Sequence, residues 1–220
     1  MAIDTRKLAL YLVTDPGLCA TFGLVETVHA AVTGGVSIVQ LRDKRANTAQ
    51  MVEHAKALQP ILAMRNIPLI INDDVEAAIA CNADGIHVGQ DDLDVIQVRK
   101  RIGRHKIVGL SVETPEAALI VDPGIVDYVG VSPIFATQTK SDHKPPIGFD
   151  GLADIVASSP VPSVAIGGLN VDHCEAVFAA GAVGIAVVSA ICGKDDPYQE
   201  TVIMRERIDL YRKTGVEDGL

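Results

Sequence analysis

The sequence predicts one α/β domain over residues 1–220, a single (β/α)8 barrel of the TIM type. Three observations support this prediction. Eight short aliphatic runs alternate with stretches of helical pattern, at a spacing of about 27 residues, which is the size of a βα unit. Hydrophobic residues make up 48% of the chain and aromatic residues only 4%, as expected for buried parallel strands. The sequence contains no linker or low-complexity tract that would divide it.

The predicted strands are brief runs rich in Val, Ile and Leu, bounded by turn residues. They cover residues 8–14, 37–42, 68–72, 85–89, 107–111, 127–132, 162–167 and 184–189. The predicted helices lie near residues 23–33, 48–65, 74–81, 94–101, 115–120, 151–157, 171–180 and 197–212. An open doubly wound sheet is the alternative, but the Gly-x-Gly-x-x-Gly fingerprint of such sheets does not follow the first strand.

Composition and charge narrow the classes of function. The formal net charge is -9, which argues against a nucleic-acid partner because such proteins present a basic face. The four cysteines are far apart and include no Cys-x-x-Cys pair, so they are expected to be reduced core thiols. The sequence shows neither a signal peptide nor an apolar run of roughly eighteen residues. We therefore expect a cytoplasmic protein without a membrane partner, and a homo-oligomer remains compatible with the sequence.

Polar residues collect where the predicted strands end, which is the face that carries the active site in this fold. Gln40, Arg42 and Lys44 are spaced two apart, so an extended strand points all three to one side. One amide and two cations suit a phosphorylated heterocycle, because Arg grips phosphate as a planar fork and Lys supplies a mobile charge. The alternative for the cations is a surface ion-pair patch.

Two aspartates follow neighbouring strands and indicate a magnesium site. Asp73 follows the third strand and Asp92 the fourth, with Asn72 beside the first of them. Magnesium is typically held by one or two carboxylates together with substrate phosphates. The alternative is that Asp73 or Asp74 simply caps the following helix.

A second anion site is predicted after the last two strands. The Gly167-Gly168 pair would let a phosphate approach backbone N–H groups, and barrels often bind phosphate at this position. Val188 and Ser189 end the eighth strand. Between the two sites lies a long segment, 133–152, that has no periodicity and includes Thr137. His87, in the middle of the fourth strand, is expected to be a core histidine.

At these residues the chain resembles the thiamine phosphate synthase family, over roughly residues 8–192 and in the family's order and spacing. The matching segments are YLVTD (11–15), VQLRDK (39–44), INDD (71–74), GIHVGQDDL (85–93), GLS (109–111), YVGVSPIFATQTK (128–140), PPIGFDGL (145–152), VAIGGL (164–169) and VVSAI (187–191). The resemblance implies a barrel enzyme of thiamine biosynthesis. It would join 4-amino-2-methyl-5-(diphosphooxymethyl)pyrimidine to 4-methyl-5-(2-phosphoethyl)thiazole, or to its carboxylated tautomer, through a magnesium-assisted dissociative substitution that releases pyrophosphate.

The resemblance also implies roles for individual residues. Residues holding the pyrimidine diphosphate would be Gln40, Leu41, Arg42, Asp43, Lys44, Asn72, Ser111 and Lys140. Residues holding the thiazole phosphate would be Thr137, Gln138, Thr139, Gly168, Val188 and Ser189. Asp73 and Asp92 would bind Mg²⁺, while Lys140, Arg42 and Lys44 would stabilise the leaving pyrophosphate. The long segment would act as a lid that excludes water from the reactive cation.

Three positions depart from the family pattern, and two other functions stay open. Ala136 replaces a usual proline, Glu113 a common histidine and Val183 a common aspartate. A thiazole tautomerase of the same barrel family is the first alternative, although it would not need the aspartate pair or Lys140. A phosphate-ligand sensor or a barrel isomerase is the second, since fold alone does not decide function.

Overall fold

The computed structural model describes residues 3–90, 92–137 and 145–217. Eight parallel strands close into a barrel in the order β1 to β8, and the first strand pairs with the last. The strands are β1 Leu10–Val13, β2 Ile38–Leu41, β3 Leu69–Asn72, β4 Gly85–Val88, β5 Ile107–Val112, β6 Tyr128–Val131, β7 Ser163–Ile166 and β8 Gly184–Val187. The prediction of an α/β barrel with eight strands is therefore confirmed. Seven strands are slightly shorter than predicted, and β5 is one residue longer.

Helices occupy the outside of the barrel between the strands. They are α1 Pro16–Cys19, α2 Leu24–Gly34, α3 Thr48–Ala63, α4 Val75–Ala80, α5 Val95–Ile102, α6 Pro115–Leu119, α7 Gly148–Ser158, α8 Cys174–Ala179 and α9 Pro197–Glu217. Two 3-10 turns, Thr5–Leu8 and Val171–His173, complete the described elements. The sequence pattern missed α1, which is a single turn too short to show a period.

Side-chain caps explain where several helices begin. Asn47 accepts from the backbone N–H of Gln50, whose side chain accepts in return from the N–H of Asn47, so α3 begins with a capping box. Asp74 caps α4 by accepting from the Ala77 N–H, and Thr114 caps α6 by accepting from the Ala117 N–H. Helix α7 begins at Gly148, earlier than predicted, so the segment after β6 is shorter than the sequence pattern indicated.

Side chains alternate between two apolar cores along each strand. Tyr11, Ile38, Ile70, Tyr128 and Val164 fill the barrel interior. Their sequence neighbours, such as Leu10, Leu12 and Val39, pack outward against the helices. This alternation follows from the two-residue period of an extended chain, and it directs Gln40 inward and Leu41 outward.

Gly109 makes room for two large polar side chains inside the barrel. The register places His87, Gly109 and Tyr128 in one row across β4, β5 and β6. A Cβ added to Gly109 would collide with the Tyr128 ring and with Nδ1 of His87. Glycine here therefore lets His87 and Tyr128 come together beneath the open end of the barrel.

The outer ring closes where α9 packs against α2. A Cβ on Gly34 would lie 2.7 Å from Cβ of Thr201, so the two helices approach closely at this point. None of the helices in the described part of the chain is long and apolar enough to span a membrane.

Candidate active site at the carboxyl ends of the strands

A cavity of about 310 Å³ opens at the end of the barrel where the strands terminate. Every strand or the loop that follows it contributes to the lining, for example through Val13, Gln40, Asn72, His87, Ser111, Ser132, Ile166 and Val188. This is the face on which barrel enzymes carry their active sites. The sequence-based expectation that polar chemistry collects here agrees with this geometry.

The residues of β2 reach the cavity as the two-residue spacing predicts. Gln40, Arg42 and Lys44 all line it. The backbone of Arg42 is held by Thr14, whose Oγ1 accepts from the Arg42 N–H at 3.0 Å and donates to the Arg42 carbonyl oxygen at 3.2 Å. The guanidinium of Arg42 lies 4.0 Å from a carboxylate oxygen of Asp15, and its side chain is only 13% exposed. A largely enclosed cation of this kind suits an anionic ligand.

Leu41 and Asp43 belong to the expected substrate-binding set but lie away from the cavity. Leu41 is fully buried in the core between the strands and the helices, because it alternates outward from Gln40. The Asp43 carboxylate accepts from the N–H groups of Arg45 and Ala46 and lies 4.0 Å from His54. Neither of these two described residues lines the cavity. The Asp43 side chain therefore shapes the loop after β2, and the expected contact of these two residues with the diphosphate stays a prediction.

Asp73 and Asp92 meet at the mouth, and the geometry separates Asp73 from a capping role. The cap of α4 is Asp74, which accepts from the Ala77 N–H at 2.9 Å. Asp73 instead adopts a left-handed backbone conformation with φ 62°. Asn72 Nδ2 donates to its carboxylate at 2.5 Å. A non-glycine residue in this conformation is uncommon, so the turn directs the carboxylate to a specific place.

Electrostatics of the aspartate pair favour a cation. Burial of the carboxylate, followed by repulsion from Asp92, raises the pKa of Asp73 to about 7. Asp92 accepts from the N–H of Gly89 at 2.7 Å, which holds it beside Asp73. Within the described residues, no group of three or more His, Cys, Asp and Glu side chains converges on one point. Two carboxylates and an amide fit a divalent ion that also needs phosphate oxygens as ligands.

The floor of the cavity is a chain of hydrogen bonds that sequence reasoning missed. Gln40 Nε2 donates to the Tyr11 hydroxyl at 2.9 Å, and that hydroxyl lies 2.7 Å from the Tyr128 hydroxyl. Tyr128 lies 3.0 Å from Nδ1 of His87, whose Nε2 lies 3.0 Å from the Ser111 hydroxyl. His87 is thus half-buried and lines the cavity, whereas the sequence predicted a histidine that only fills the core.

Burial keeps both phenols of this floor protonated. It raises the pKa of Tyr11 and of Tyr128 above the ordinary value. A useful signal in the sequence was Gly109 in the middle of β5, because glycine inside a strand marks a close approach of other groups.

Opposite the aspartates lie the loops after β7 and β8, where the sequence predicts a second anion site. Gly167 and Gly168 both have positive φ, at 110° and 65°. A Cβ on Gly168 would lie 2.8 Å from the Ala136 carbonyl oxygen and from Cβ of Phe135, so only glycine fits there. Thr137, Gly168, Val188 and Ser189 all line the cavity.

The described start of the segment after β6 is anchored to β7. The Ile134 N–H donates to the Ile166 carbonyl oxygen at 3.1 Å, and the Phe135 N–H to that of Gly167 at 3.0 Å. These bonds bring Thr137 to the rim of the cavity. The expected ligand residues Gln138, Thr139 and Lys140 lie outside the described residues.

Comparisons with known proteins agree with this geometry. The profile of a family described as thiamine monophosphate synthase matches residues 10–191. A thiamine-phosphate synthase of Albidiferax ferrireducens is 46% identical over 211 residues, covering 95% of this chain and 96% of that protein. One from Xanthobacter autotrophicus is 50% identical over 192 residues, covering 87% and 91%.

A solved structure shares the fold as well as the sequence. The thiamine phosphate pyrophosphorylase of Pyrococcus furiosus superposes with a TM-score of 0.85 at 34% identity, covering 94% of this chain and 98% of that one. The family match, the relatives and this structure all extend over the barrel that carries the cavity. The chain therefore belongs to the thiamine monophosphate synthase family, and it is a transferase of thiamine biosynthesis.

Proposed function

We propose that this thiamine phosphate synthase joins 4-amino-2-methyl-5-(diphosphooxymethyl)pyrimidine to 4-methyl-5-(2-phosphoethyl)thiazole, or to its carboxylated tautomer, with Mg²⁺ as the cofactor. The observation that carries the proposal is one cavity with two walls of different chemistry. Arg42, Lys44, Asp73 and Asp92 form one wall, and Gly168 and Ser189 lie on the other. A diphosphate with its metal fits the first wall, and a monophosphate fits the second.

The first wall suits a leaving pyrophosphate. Arg42 and Lys44 contribute positive charge, and Asn72 lies beside Asp73. Mg²⁺ held by Asp73 and Asp92 would neutralise charge on the phosphate oxygens as pyrophosphate leaves. Arg42 is held in place by Thr14 and Asp15, which are parts of the chain itself. Such preorganisation favours the charge that develops in the transition state.

The hydrogen-bonded floor suits the pyrimidine ring. Gln40 and Ser111 are the two ends of the chain that runs through Tyr11, Tyr128 and His87. The floor offers an amide, hydroxyl groups and a ring nitrogen, which complement an aminopyrimidine. Because each side chain is held by its neighbour, the floor fixes the orientation of the ring.

The second wall places the thiazole phosphate across from the pyrimidine. Gly168 and Ser189 both line the cavity here, and the Ser189 hydroxyl can donate to a phosphate oxygen. The carbon–oxygen bond to pyrophosphate breaks, leaving a pyrimidine cation, and the thiazole nitrogen supplies the electron pair for the new carbon–nitrogen bond. With the carboxylated tautomer, the carboxylate leaves as carbon dioxide, and its bonding electrons stay on the thiazole ring. Holding the two rings in line turns the coupling into a step within one complex. The proposed roles of Gln138, Thr139 and Lys140 rest on the family resemblance alone.

The test is pyrophosphate release from a mixture of purified protein, Mg²⁺ and both substrates, with each component omitted in turn. Release that needs all three, with thiamine phosphate formed in equal amount, supports the proposal. Release without Mg²⁺ would remove the proposed role of the aspartate pair. Absence of release, together with a change of the thiazole tautomer, would favour the tautomerase alternative instead.

A further inference from the structure

The hydrogen bonds of the cavity floor form one unbranched series, which we call the floor chain. It starts at Gln40, whose Nε2 lies 2.9 Å from the Tyr11 hydroxyl, and continues over 2.7 Å to the Tyr128 hydroxyl. From there it passes over 3.0 Å to Nδ1 of His87, whose Nε2 lies 3.0 Å from the Ser111 hydroxyl. The two ends of the floor chain both line the cavity.

The two phenols in the middle of the floor chain restrict where its protons lie. Tyr11 is 2% exposed and Tyr128 is fully buried. Within the described part of the chain, the Tyr11 hydroxyl bonds to Gln40 and Tyr128. The Tyr128 hydroxyl bonds to Tyr11 and to His87. Burial raises the pKa of both phenols, so each keeps its one proton.

A single proton on each phenol makes the hydrogen bonds run in one direction. Oxygen atoms 2.7 Å apart need a proton between them, so either Tyr11 donates to Tyr128 or the reverse. The other phenol must then donate onward, since a buried donor without an acceptor costs free energy. All bonds between Gln40 and His87 therefore point toward His87, or all of them point toward Gln40.

Charges at the two ends favour the direction from Gln40 to Ser111. The Gln40 amide donates its N–H to Tyr11, which makes its oxygen the acceptor for the cavity. The next cavity-lining residue after Gln40 is the cation Arg42, and the next after Ser111 is the acid Glu113. A carbonyl oxygen is favoured beside a positive charge, and a hydroxyl proton is favoured beside a negative one.

This direction determines the tautomer of His87. Tyr128 donates to Nδ1, so the neutral imidazole carries its proton on Nε2 and donates to Ser111. A Cβ on Gly109 would collide with Nδ1 of His87, and one on Gly130 would lie 3.0 Å from its Cε1. The imidazole is thus closely enclosed, and turning it over would put carbon atoms in place of both nitrogens. Because Ser111 accepts from His87, its own proton is available to a ligand.

We propose that His87 is a specificity-determining positioning residue, whose Nε2–H tautomer makes Gln40 an acceptor and Ser111 a donor toward the pyrimidine. The 4-amino group donates to the Gln40 oxygen, and a ring nitrogen accepts from Ser111. A 4-oxo pyrimidine presents an acceptor where the amino group presents a donor. To bind it, Gln40 would have to turn over, every bond of the floor chain would reverse, and Ser111 would cease to donate. This specificity rests on the proposed function, whereas the tautomer of His87 does not.

The first experiment determines the tautomer of His87 in the full-length protein without ligands. Heteronuclear NMR of the histidine ring nitrogens is recorded at about pH 8, where histidine is neutral. Signals of His87 are identified by their proximity to the Tyr128 ring, whose centroid lies 5.5 Å from that of the imidazole. We expect a protonated Nε2 and an unprotonated Nδ1. A proton on Nδ1, or comparable amounts of both tautomers, would overturn the proposal.

The second experiment measures specificity by binding. Calorimetry compares 4-amino-2-methyl-5-(phosphooxymethyl)pyrimidine with its 4-oxo counterpart, and neither monophosphate can release pyrophosphate. The amino compound should bind at least about tenfold more tightly, because the oxo group would face the Gln40 oxygen without a proton between them. Equal affinities would refute the role in specificity. If the protein forms no thiamine phosphate but His87 carries its proton on Nε2, the proposed function fails and the proton order stands.

A pair of matched variants tests the coupling between the two ends. Tyr128→Phe removes the central link, so the Gln40 amide and the His87 imidazole can reverse independently. The preference for the amino compound should fall several-fold, and His87 should become a mixture of tautomers. Tyr198→Phe makes the same change at a residue of α9 that is 44% exposed, and it should alter neither quantity. A Tyr128→Phe protein that is folded by circular dichroism and keeps the full preference would contradict the coupling, and the NMR spectrum of the unmodified chain decides the tautomer without any variant.

Discussion

Replacing Asp73 with Asn should stabilise the metal-free protein and raise the concentration of Mg²⁺ that activity requires. Burial and the neighbouring Asp92 raise the pKa of Asp73 from 3.8 to about 7. Between these two values the folded state binds more protons than the unfolded state, so stability falls as the pH rises through this window. The penalty is absent below about pH 4 and fully developed above about pH 7.

The magnitude follows from the shift and from solvent screening. Each pKa unit corresponds to about 1.4 kcal/mol, so the whole shift would lower the free energy of unfolding by roughly 4 kcal/mol if the carboxylate were fully shielded from water. Asp73 is an exposed residue, although its carboxylate is close to Asp92. Water therefore screens much of the repulsion, and we expect Asp73→Asn to stabilise the metal-free protein by about 1 kcal/mol at about pH 8.

The assay is urea unfolding at about pH 5 and at about pH 8, in the presence of EDTA or of Mg²⁺. The variant should gain stability at the higher pH in EDTA, gain less at the lower pH, and respond less to Mg²⁺ than the unmodified protein. Its activity should require much more Mg²⁺.

Asp74→Asn provides a matched control one residue away. It removes the same charge, and Asn retains the ability to cap α4. This variant should keep the normal Mg²⁺ requirement. An Asp73→Asn enzyme with unchanged Mg²⁺ dependence, or with reduced stability at about pH 8 in EDTA, would refute the reasoning.

Three further substitutions test the rest of the site. Ser189→Ala should weaken binding of the thiazole phosphate by about tenfold and spare the pyrimidine diphosphate, which calorimetry with each ligand alone would measure; equal losses would contradict the assignment. Tyr128→Phe breaks the link between Tyr11 and His87. It should raise the KM for the pyrimidine substrate several-fold, and an unchanged KM would exclude a positioning role for the floor. Gly109→Ala should destabilise the fold by about 2 kcal/mol in urea, since its Cβ collides with Tyr128 and His87; an unaltered midpoint would show that the floor can adjust.

The arrangement of strands was readable from the sequence because local patterns encode it. A short aliphatic run was enough to predict each strand, and the regular spacing of eight such runs predicted that the strands close into a barrel. Short helices were harder, since α1 spans only four residues and its start depends on the cap at Asp15. The start of α7 was also misjudged, because Gly148 carries no cap signal and the helix begins without a side-chain cap.

Parts of the candidate site were also predictable, where one strand carries several of its residues. The two-residue spacing of Gln40, Arg42 and Lys44 was enough to place them on one side. The same rule points the Leu41 side chain outward to the helices, as the structure shows. Choosing between Asp73 and Asp74 was beyond the sequence, because both follow β3 and only the backbone turn assigns the cap.

The sequence by itself determined the barrel, the end at which its polar residues collect, and the family to which the chain is similar. These features depend on local period and on the order of motifs. The tertiary structure alone decided that Tyr11, Tyr128 and His87 meet on the cavity floor. Such contacts depend on the register and closure of the barrel, which join residues that are far apart in the chain.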